Sequence, residues 1–410
     1  MRCGLLGRKL SHSYSPHIHK FLGDYEYALF EKEPEEVESF LRYGNFDAIN
    51  VTIPYKKTVI PFCNSLSSRA KALGAVNTIV RQRDGSLLGH NTDFYGFEYM
   101  LRRSGASVQG KKALILGSGG ASVTASAVLQ QMGAQVIVIS RTGTDNYTNL
   151  DRHADASVIV NATPVGMYPN LGQSPVDLTM FPNLACVLDM VYNPARTELL
   201  MQAERLNIPN DNGLWMLVAQ AKESAEWFTG EKLPDELIPM IHRKLKLQME
   251  NIVLIGMPGC GKTTIGRELA KRLDMSYTDT DDEIIKAAGC PIPQIFQERT
   301  EAGFRKVETE AIAKVCAGSG MVIATGGGCV TVAENYPHLH QNGQIFWLKR
   351  DLSLLPTDGR PLSQAGMLAD MYKIREPLYR QFCDHCIDNN GTEDETISAI
   401  LSVLEGGNAQ

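Results

Sequence analysis

Twice along the chain a short apolar run ends in a glycine-rich turn that opens directly into a helix-forming stretch. Lys111–Leu116 (KKALIL) leads into Gly117-Ser118-Gly119-Gly120 and then an alanine-rich stretch, Ala121 to Met132. Asn251–Ile255 (NIVLI) leads into a second glycine loop at Gly256–Gly261. A run that is apolar on nearly every residue suits a strand buried on both faces, the parallel strand of an α/β sheet. Further runs at Gln135–Ile139, Ser157–Val160 and Ala185–Met190 end in polar or turn residues. Strands alternating with helices in this way make the chain α/β throughout. The length of 410 residues exceeds one typical domain and fits two or three, each with its own core. Leu233–Met249 reads as a helix closing the first unit, with Pro234 near its start, and the main boundary falls near Met249. No Pro/Ser/Gly-rich linker follows.

The net charge of −6 gives no support to binding of nucleic acid or of anionic membranes. No stretch approaches the ~18 apolar residues of a membrane span. The start, MRCGLLGRKLSHS, lacks the apolar run of a signal peptide. Nine cysteines, an odd number scattered through a long chain, suit free thiols in a reducing compartment. A cytoplasmic protein is therefore expected. Cys383 and Cys386 form a lone CxxC at a helix end, with no second pair to complete a tetrahedral metal site.

Gly256-Met257-Pro258-Gly259-Cys260-Gly261-Lys262-Thr263 satisfies GxxxxGK[ST] between a strand and a helix. Such a loop turns backbone N–H groups inward around phosphates, at the positive end of a helix. Gly259, Cys260, Gly261, Lys262, Thr263 and Thr264 are the expected ATP-binding residues. Lys262 would reach the β- and γ-phosphates, and Thr263 would ligate Mg²⁺. Asp279-Thr280-Asp281 follows a short apolar stretch, so both carboxylates should emerge at a strand's C-terminal end, where ligands sit in open α/β sheets. One can serve the metal and the other an attacking hydroxyl; an acidic helix cap is the alternative reading. Arg305 on a helix, the turn Gly326-Gly327-Gly328, Arg360 in TDGRPLS and Arg375 in KIREPLYR suggest a small anionic acceptor beside ATP.

In the order GMPGCGKTT, DTD, FRKVE, GGG, GRPL and REPLYR, this half resembles shikimate kinase from Asn251 to about residue 405. The resemblance implies a three-layer P-loop kinase domain over 250–410. It implies that Asp281, Arg305, Gly326, Gly327, Gly328 and Arg375 hold shikimate, with Asp281 near the hydroxyl to be phosphorylated. It also implies that Asp279 supports Mg²⁺ and that Arg360 closes over the transferring phosphate. Glu308, one turn past Arg305, would orient that arginine, or form a solvent pair with it. The lid segment Leu354–Leu362 is short and carries one arginine where the family often has more.

In the first half, Gly117–Gly120 is a compressed form of GxGxxG. The next strand ends in Ser140-Arg141-Thr142, and an arginine there suits the 2′-phosphate of NADP better than the bare ribose of NAD. Asn50–Lys56 (NVTIPYK) reads as a strand end leading into a lysine. Asn91-Thr92-Asp93 lies after the Gly85 turn and just before the first dinucleotide strand. A lysine beside an aspartate can stabilise an alkoxide and supply its proton. Spacing alone does not bring Lys56 to Asp93.

The motifs LSHSYSPHIH, NVTIPYK, GAVNTIV, GHNTDFYGF, GSGGAS, SRT, NATPVGM, DMVYNP and NGLWMLVAQA resemble shikimate dehydrogenase from Gly4 to about Gly230. The resemblance implies a substrate-binding α/β lobe over 1–100, with 213–249 packing back onto it, and a Rossmann-like NADP domain over 101–212. Ser13, Ser15, Thr52, Asn77 and Gln220 would hydrogen-bond substrate, although Ser13 and Ser15 also suit a turn before Pro16. Lys56 and Asp93 match the catalytic pair. Gly117, Gly119, Gly120, Ala121, Arg141 and Thr142 would hold NADP, with Thr163, Met190 and Gly213 near the nicotinamide. Two departures stand out. Ser118 replaces the family's usual alanine, and the short segment from Arg141 to Val160 has room for at most a reduced helix, as if one strand–helix unit were missing.

Together the resemblances imply a bifunctional enzyme of the shikimate route to aromatic amino acids. It would reduce 3-dehydroshikimate with NADPH and then phosphorylate shikimate with ATP. Two rivals stand: a quinate- and NAD-using specificity, and one half acting as a catalytically dead module. Ser13, Ser15 and Arg141 argue against the first, and the intact Lys56, Asp93, Lys262 and Asp281 against the second. Oligomeric state is not legible in the sequence.

Overall fold

The computed structural model describes residues 1–10, 13–356 and 365–406. The chain divides into two compact units, Met1–Leu245 and Lys246–Gln410. The first unit holds two sheets and the second holds one.

The first sheet comprises β1 (Arg2–Gly7), β2 (Glu26–Glu31), β3 (Ala48–Val51), β4 (Ser65–Leu66), β5 (Thr78–Arg81) and β6 (Leu87–His90), in the order β2-β1-β3-β5-β6-β4. β1 runs parallel to β2 and β3, and β5 is antiparallel to β3 and β6. Leu6, Ile49, Val51 and Ile79 bury one apolar core. The helix Leu214–Thr229, although late in the chain, packs on β3, on β5 and along the helix Asp93–Arg103. That second helix lies between β6 and the next sheet. Asp93 therefore opens a helix and does not run directly into the dinucleotide strand, a correction to the sequence reading.

The second sheet comprises β7 (Lys112–Leu116), β8 (Gln135–Ile139), β9 (Val158–Asn161), β10 (Cys186–Asp189) and β11 (Asn210–Asn212), all parallel, in the order β11-β10-β9-β7-β8. A full dinucleotide fold runs 3-2-1-4-5-6. Here, among the described residues, the third strand and its helix are absent, and the crossover from β8 to β9 carries only the 3₁₀ turn Leu150–His153. β8 is left as an edge strand, with Gln135 and Val138 exposed where a neighbour would cover them.

The second unit's sheet comprises β12 (Asn251–Ile255), β13 (Ser276–Asp279), β14 (Met321–Ala324), β15 (Gly343–Lys349) and β16 (His385–Asp388), all parallel, in the order β13-β14-β12-β15-β16. Its central strand β12 is buried along its whole length, as its unbroken apolar run requires. The helix expected over Leu233–Met249 begins at Leu237, beyond Pro234. Among the described residues no helix is long and apolar enough to cross a membrane, and no three His, Cys, Asp or Glu side chains cluster as a metal site.

Candidate active sites

In the first unit Lys56 Nζ lies 2.7 Å from Asp93 Oδ2, with side-chain exposures of 31% and 13%. Lys56 sits in the turn following β3, and its carbonyl accepts from Val76 N at 2.8 Å, fixing that turn to the segment just before β5. Asp93 stands in the first turn of an 11-residue helix, where the dipole favours a carboxylate. Behind the pair runs a buried hydrogen-bond network. Asn77 Oδ1 accepts from Thr92 N at 2.7 Å, and Asn77 Nδ2 donates to Thr92 Oγ1 at 3.0 Å. Thr92 Oγ1 also lies 2.9 Å from Ser224 Oγ and 3.5 Å from Gln220 Oε1. Asn50 Nδ2 donates to Ser224 Oγ at 2.7 Å, and Tyr27 OH donates to Asn50 Oδ1 at 2.8 Å.

This chain of bonds links Asn77 and Gln220 to the residue preceding Asp93, and Ser15 is buried next to the turn at Ser13. Thr52 and Ser13 lie outside it. Thr52 N donates to Leu6 O at 2.9 Å, and Ser13 Oγ accepts from Ser15 N at 3.2 Å, which is the turn role. Asn50, Thr78, Thr92 and Ser224 received no role from the sequence. Their signal there is a polar residue among apolar neighbours, which says nothing about partners up to 174 positions away.

At the second sheet a cavity of about 670 Å³ is lined by Gly117, Ser118, Gly119, Ser140, Arg141, Tyr147, Thr163 and neighbouring residues. Gly117 has φ of +103°, and a Cβ there would meet Thr163 Cγ2 at 2.8 Å, so both backbone and space demand glycine. Gly119 and Gly120 face open space at the start of the helix Gly120–Gln131, with Ala121 in its first turn. A 12-residue helix N-terminus, bare glycines and an adjacent guanidinium fit a dinucleotide's phosphates. Thr142 is exposed beside Arg141. Thr163 is pinned by Asn161 Oδ1, which accepts from its hydroxyl at 2.7 Å and its N–H at 3.0 Å. Asn161 in turn donates to Asp189 at 2.9 Å, and burial pushes the Asp189 carboxyl up to about 7. Met190 follows Asp189, and a Cβ on Gly213 would overlap the Met190 backbone, so only glycine fits.

In the second unit Gly256, Gly259 and Gly261 have φ of +147°, +83° and +95°, the left-handed turns of a loop that points its N–H groups inward. Lys262, buried, donates to Gly256 O at 2.8 Å and Met257 O at 3.0 Å, while Asn389 holds the Cys260 carbonyl. Thr263 Oγ1 donates to Asp279 Oδ2 at 3.1 Å, so the two expected Mg²⁺ ligands meet. Hydroxyl and carboxylate oxygens are the donors a hard divalent cation takes. Thr264 is exposed in the helix's first turn. Asp279 Oδ1 caps the next helix by accepting from Asp281 N at 3.1 Å, the cap reading, while Oδ2 faces Thr263.

Asp281 faces the glycine turn: a Cβ on Gly326 would meet Asp281 Oδ1 at 2.8 Å and Glu308 Oε1 at 3.0 Å. A Cβ on Gly328 would collide with the Arg305 guanidinium. Arg305 Nη1 donates to Glu308 Oε2 at 2.7 Å, and Glu308 is buried, which makes it an orienting partner and not a solvent pair. Arg375 Nη1 donates to Gly327 O at 3.1 Å, beside the Tyr379 hydroxyl on the same carbonyl. Burial and then the neighbouring Asp279 raise the Asp281 carboxyl above its ordinary range; burial likewise raises Glu308. Arg305 Nε is buried without a hydrogen-bond partner. Arg360 lies outside the described residues.

Residues 5–79 match the family model for the shikimate dehydrogenase substrate-binding domain, and residues 258–405 match that for shikimate kinase. The shikimate dehydrogenase (NADP⁺) of Clostridium perfringens is 34% identical over 266 residues, covering 59% of this chain and 97% of that protein. The crystal structure of shikimate dehydrogenase 1 from Peptoclostridium difficile is 36% identical, with a TM-score of 0.55, covering 60% of this chain and 98% of the other. The Thermus thermophilus shikimate 5-dehydrogenase in complex with NADP(H) and shikimate is 29% identical, with a TM-score of 0.53, covering 60% of this chain and 99% of its own. The N-terminal part of this chain thus belongs to the shikimate dehydrogenase family, and a shikimate kinase domain follows it in the same polypeptide.

Proposed function

We propose that the chain catalyses two consecutive reactions: reduction of 3-dehydroshikimate to shikimate with NADPH, then phosphorylation of the shikimate 3-hydroxyl by ATP. The observation that carries this reading is the pairing of Lys56 with Asp93, 37 positions apart, with a separate acid–arginine cluster beside the second glycine loop.

In the first site Gly117, Gly119, Gly120, Ala121, Arg141 and Thr142 hold NADP(H), with Thr163, Met190 and Gly213 toward the nicotinamide. Bound NADPH supplies the hydride. The Lys56 ammonium stabilises the negative charge developing on the ketone oxygen and gives it a proton, while Asp93 holds the amine in place. Asn77 and Gln220 fix Thr92 and so the start of Asp93's helix, and they share substrate binding with Ser13, Ser15 and Thr52.

In the second site the loop Gly259–Thr264 cradles the ATP phosphates, Lys262 neutralises them, and Thr263 with Asp279 holds Mg²⁺. Asp281, raised in basicity by its burial, orients the acceptor hydroxyl and takes its proton. Arg305, Arg375 and the turn Gly326–Gly328 hold the shikimate carboxylate and ring hydroxyls. Arg360 is assigned to the transferring phosphate from its motif alone. Such a chain belongs in the cytoplasm.

The test supplies 3-dehydroshikimate, NADPH and Mg-ATP and follows NADPH loss and ADP formation together. ADP formation that requires both 3-dehydroshikimate and NADPH supports the reading. NADPH loss without ADP, or quinate and NAD⁺ turned over as readily, would overturn one half of it.

A further inference from the structure

The missing strand–helix unit changes what surrounds the cofactor cavity. In place of a full crossover, the chain from Ser140 to Asn149 folds into a compact loop tied largely to itself. Ser140 N donates to Asp145 O at 3.2 Å, Asn146 Nδ2 to Gly143 O at 3.1 Å, and Asn149 Nδ2 to Thr144 O at 3.0 Å. The Asn146 side chain also accepts from Thr148 N at 2.9 Å and Thr148 Oγ1 at 2.6 Å. The loop is tight enough that a Cβ on Gly143 would meet Ser140 Oγ at 2.5 Å. These bonds flank Tyr147 on both sides and fix its backbone.

Tyr147 is part-buried, packed on the sheet's apolar cluster, and it lines the same cavity as Arg141. Burial raises its phenol, and the nearby Arg141 guanidinium works in the opposite direction, so the two side chains feel each other. The nearest acid in the loop, Asp145, is engaged by His153 Nε2 at 2.9 Å. The Arg141 end of the cavity therefore presents an exposed cation, a phenol and Ser140, while the loop's acid is held by a partner.

Resting on the NADP reading above, we propose that the Tyr147 hydroxyl acts with Arg141 as the second ligand of the cofactor's 2′-phosphate, making Tyr147 a determinant of NADP over NAD. A phenol O–H is a good donor to a phosphate oxygen, and its fixed loop loses little freedom on binding. A lone exposed arginine has neither advantage. The shortened crossover brings this donor to the phosphate in place of groups that a third strand and helix would carry.

The experiment is calorimetric titration of the full chain with NADP⁺ and with NAD⁺, comparing the unaltered protein, Tyr147→Phe and Arg141→Ala. Tyr147→Phe keeps the ring and its packing. It should weaken NADP⁺ binding by about tenfold, the worth of one hydrogen bond to a charged group, and leave NAD⁺ binding unchanged. Equal weakening of both dinucleotides would show that the ring only walls the cavity, and no weakening of either would show no contact; each overturns the proposal. If Arg141→Ala leaves NADP⁺ binding unchanged, the cofactor assignment itself fails. If Arg141→Ala weakens binding and Tyr147→Phe does not, only the role of Tyr147 falls.

Discussion

The two units solve the same problem, holding a phosphate-bearing ligand over the C-terminal ends of parallel strands, with different degrees of locality. In the second unit Lys262, Thr263 and the glycines form one continuous loop, and Asp279 and Asp281 follow within twenty residues. In the first unit the glycine loop stands apart from the acid–base pair. Lys56 comes from a turn after β3, Asp93 from a helix start, and the network behind them from Tyr27, Asn50, Asn77 and Ser224. A phosphate is gripped by backbone N–H groups, which a short peptide can supply alone. Proton transfer to a ketone oxygen needs a charged side chain held in place, and the supporting bonds come from wherever the fold brings donors and acceptors together.

The largest expected effects separate the two sites. Lys56→Ala should cut ketone reduction by ~10²–10⁴-fold and leave phosphorylation of added shikimate intact, with Asp281→Asn doing the reverse. Near wild-type reduction by Lys56→Ala would show that the 2.7 Å pair is not the catalytic one. Arg141→Ala should erode the preference for NADPH over NADH by about tenfold to a hundredfold, measured as the ratio of kcat/KM values. An unaltered protein that uses both cofactors equally would refute the reading of the SRT turn.

The pH dependence sharpens the contrast further. Only the ionised Asp281 can accept a proton, and burial followed by Asp279 raises its pKa above 3.8. The kinase rate should therefore fall as pH drops through that raised value, about tenfold per unit below it, with the limb above the ordinary aspartate range. Asp281→Asn should abolish the limb. A limb at or below pH 3.8 would argue against Asp281 as the base. The smallest effect is expected from cutting after Met249, at the end of the helix Leu237–Met249. Each unit buries its own core, and although the cut takes Lys246–Met249, with Leu247 of the second core, from the second unit, the pieces 1–249 and 250–410 should each keep their own activity in separate assays. A folded but inactive piece would mean that one site draws on the other half.

Legibility followed the same division. The strands Gln135–Ile139 and Asn251–Ile255 could be placed from their apolar runs to the residue, although only the second is buried along its whole length, and the first is an edge strand that leaves Gln135 and Val138 exposed. The role of Glu308 was ambiguous in the sequence, since an i,i+3 acid on a helix pairs with arginine equally well in solvent; burial beneath the glycine turn resolves it. For Ser13 the hydroxyl accepts from Ser15 N in the turn before Pro16, one of the two readings its sequence allowed.

The sequence by itself determined the α/β alternation, the phosphate loop, the arginine after β8 and the brevity of the segment that follows it. All of these are local: backbone conformation at glycine, apolar periodicity and chain length are set by neighbours along the chain. Tertiary structure alone decided that Lys56 meets Asp93, that Ser224 returns from far down the chain to support Thr92, and that Tyr147 stands beside Arg141 in the cofactor cavity. Those juxtapositions depend on how sheets and helices pack. Packing is governed by burial and hydrogen-bond satisfaction summed over the whole unit, which no short window of sequence contains.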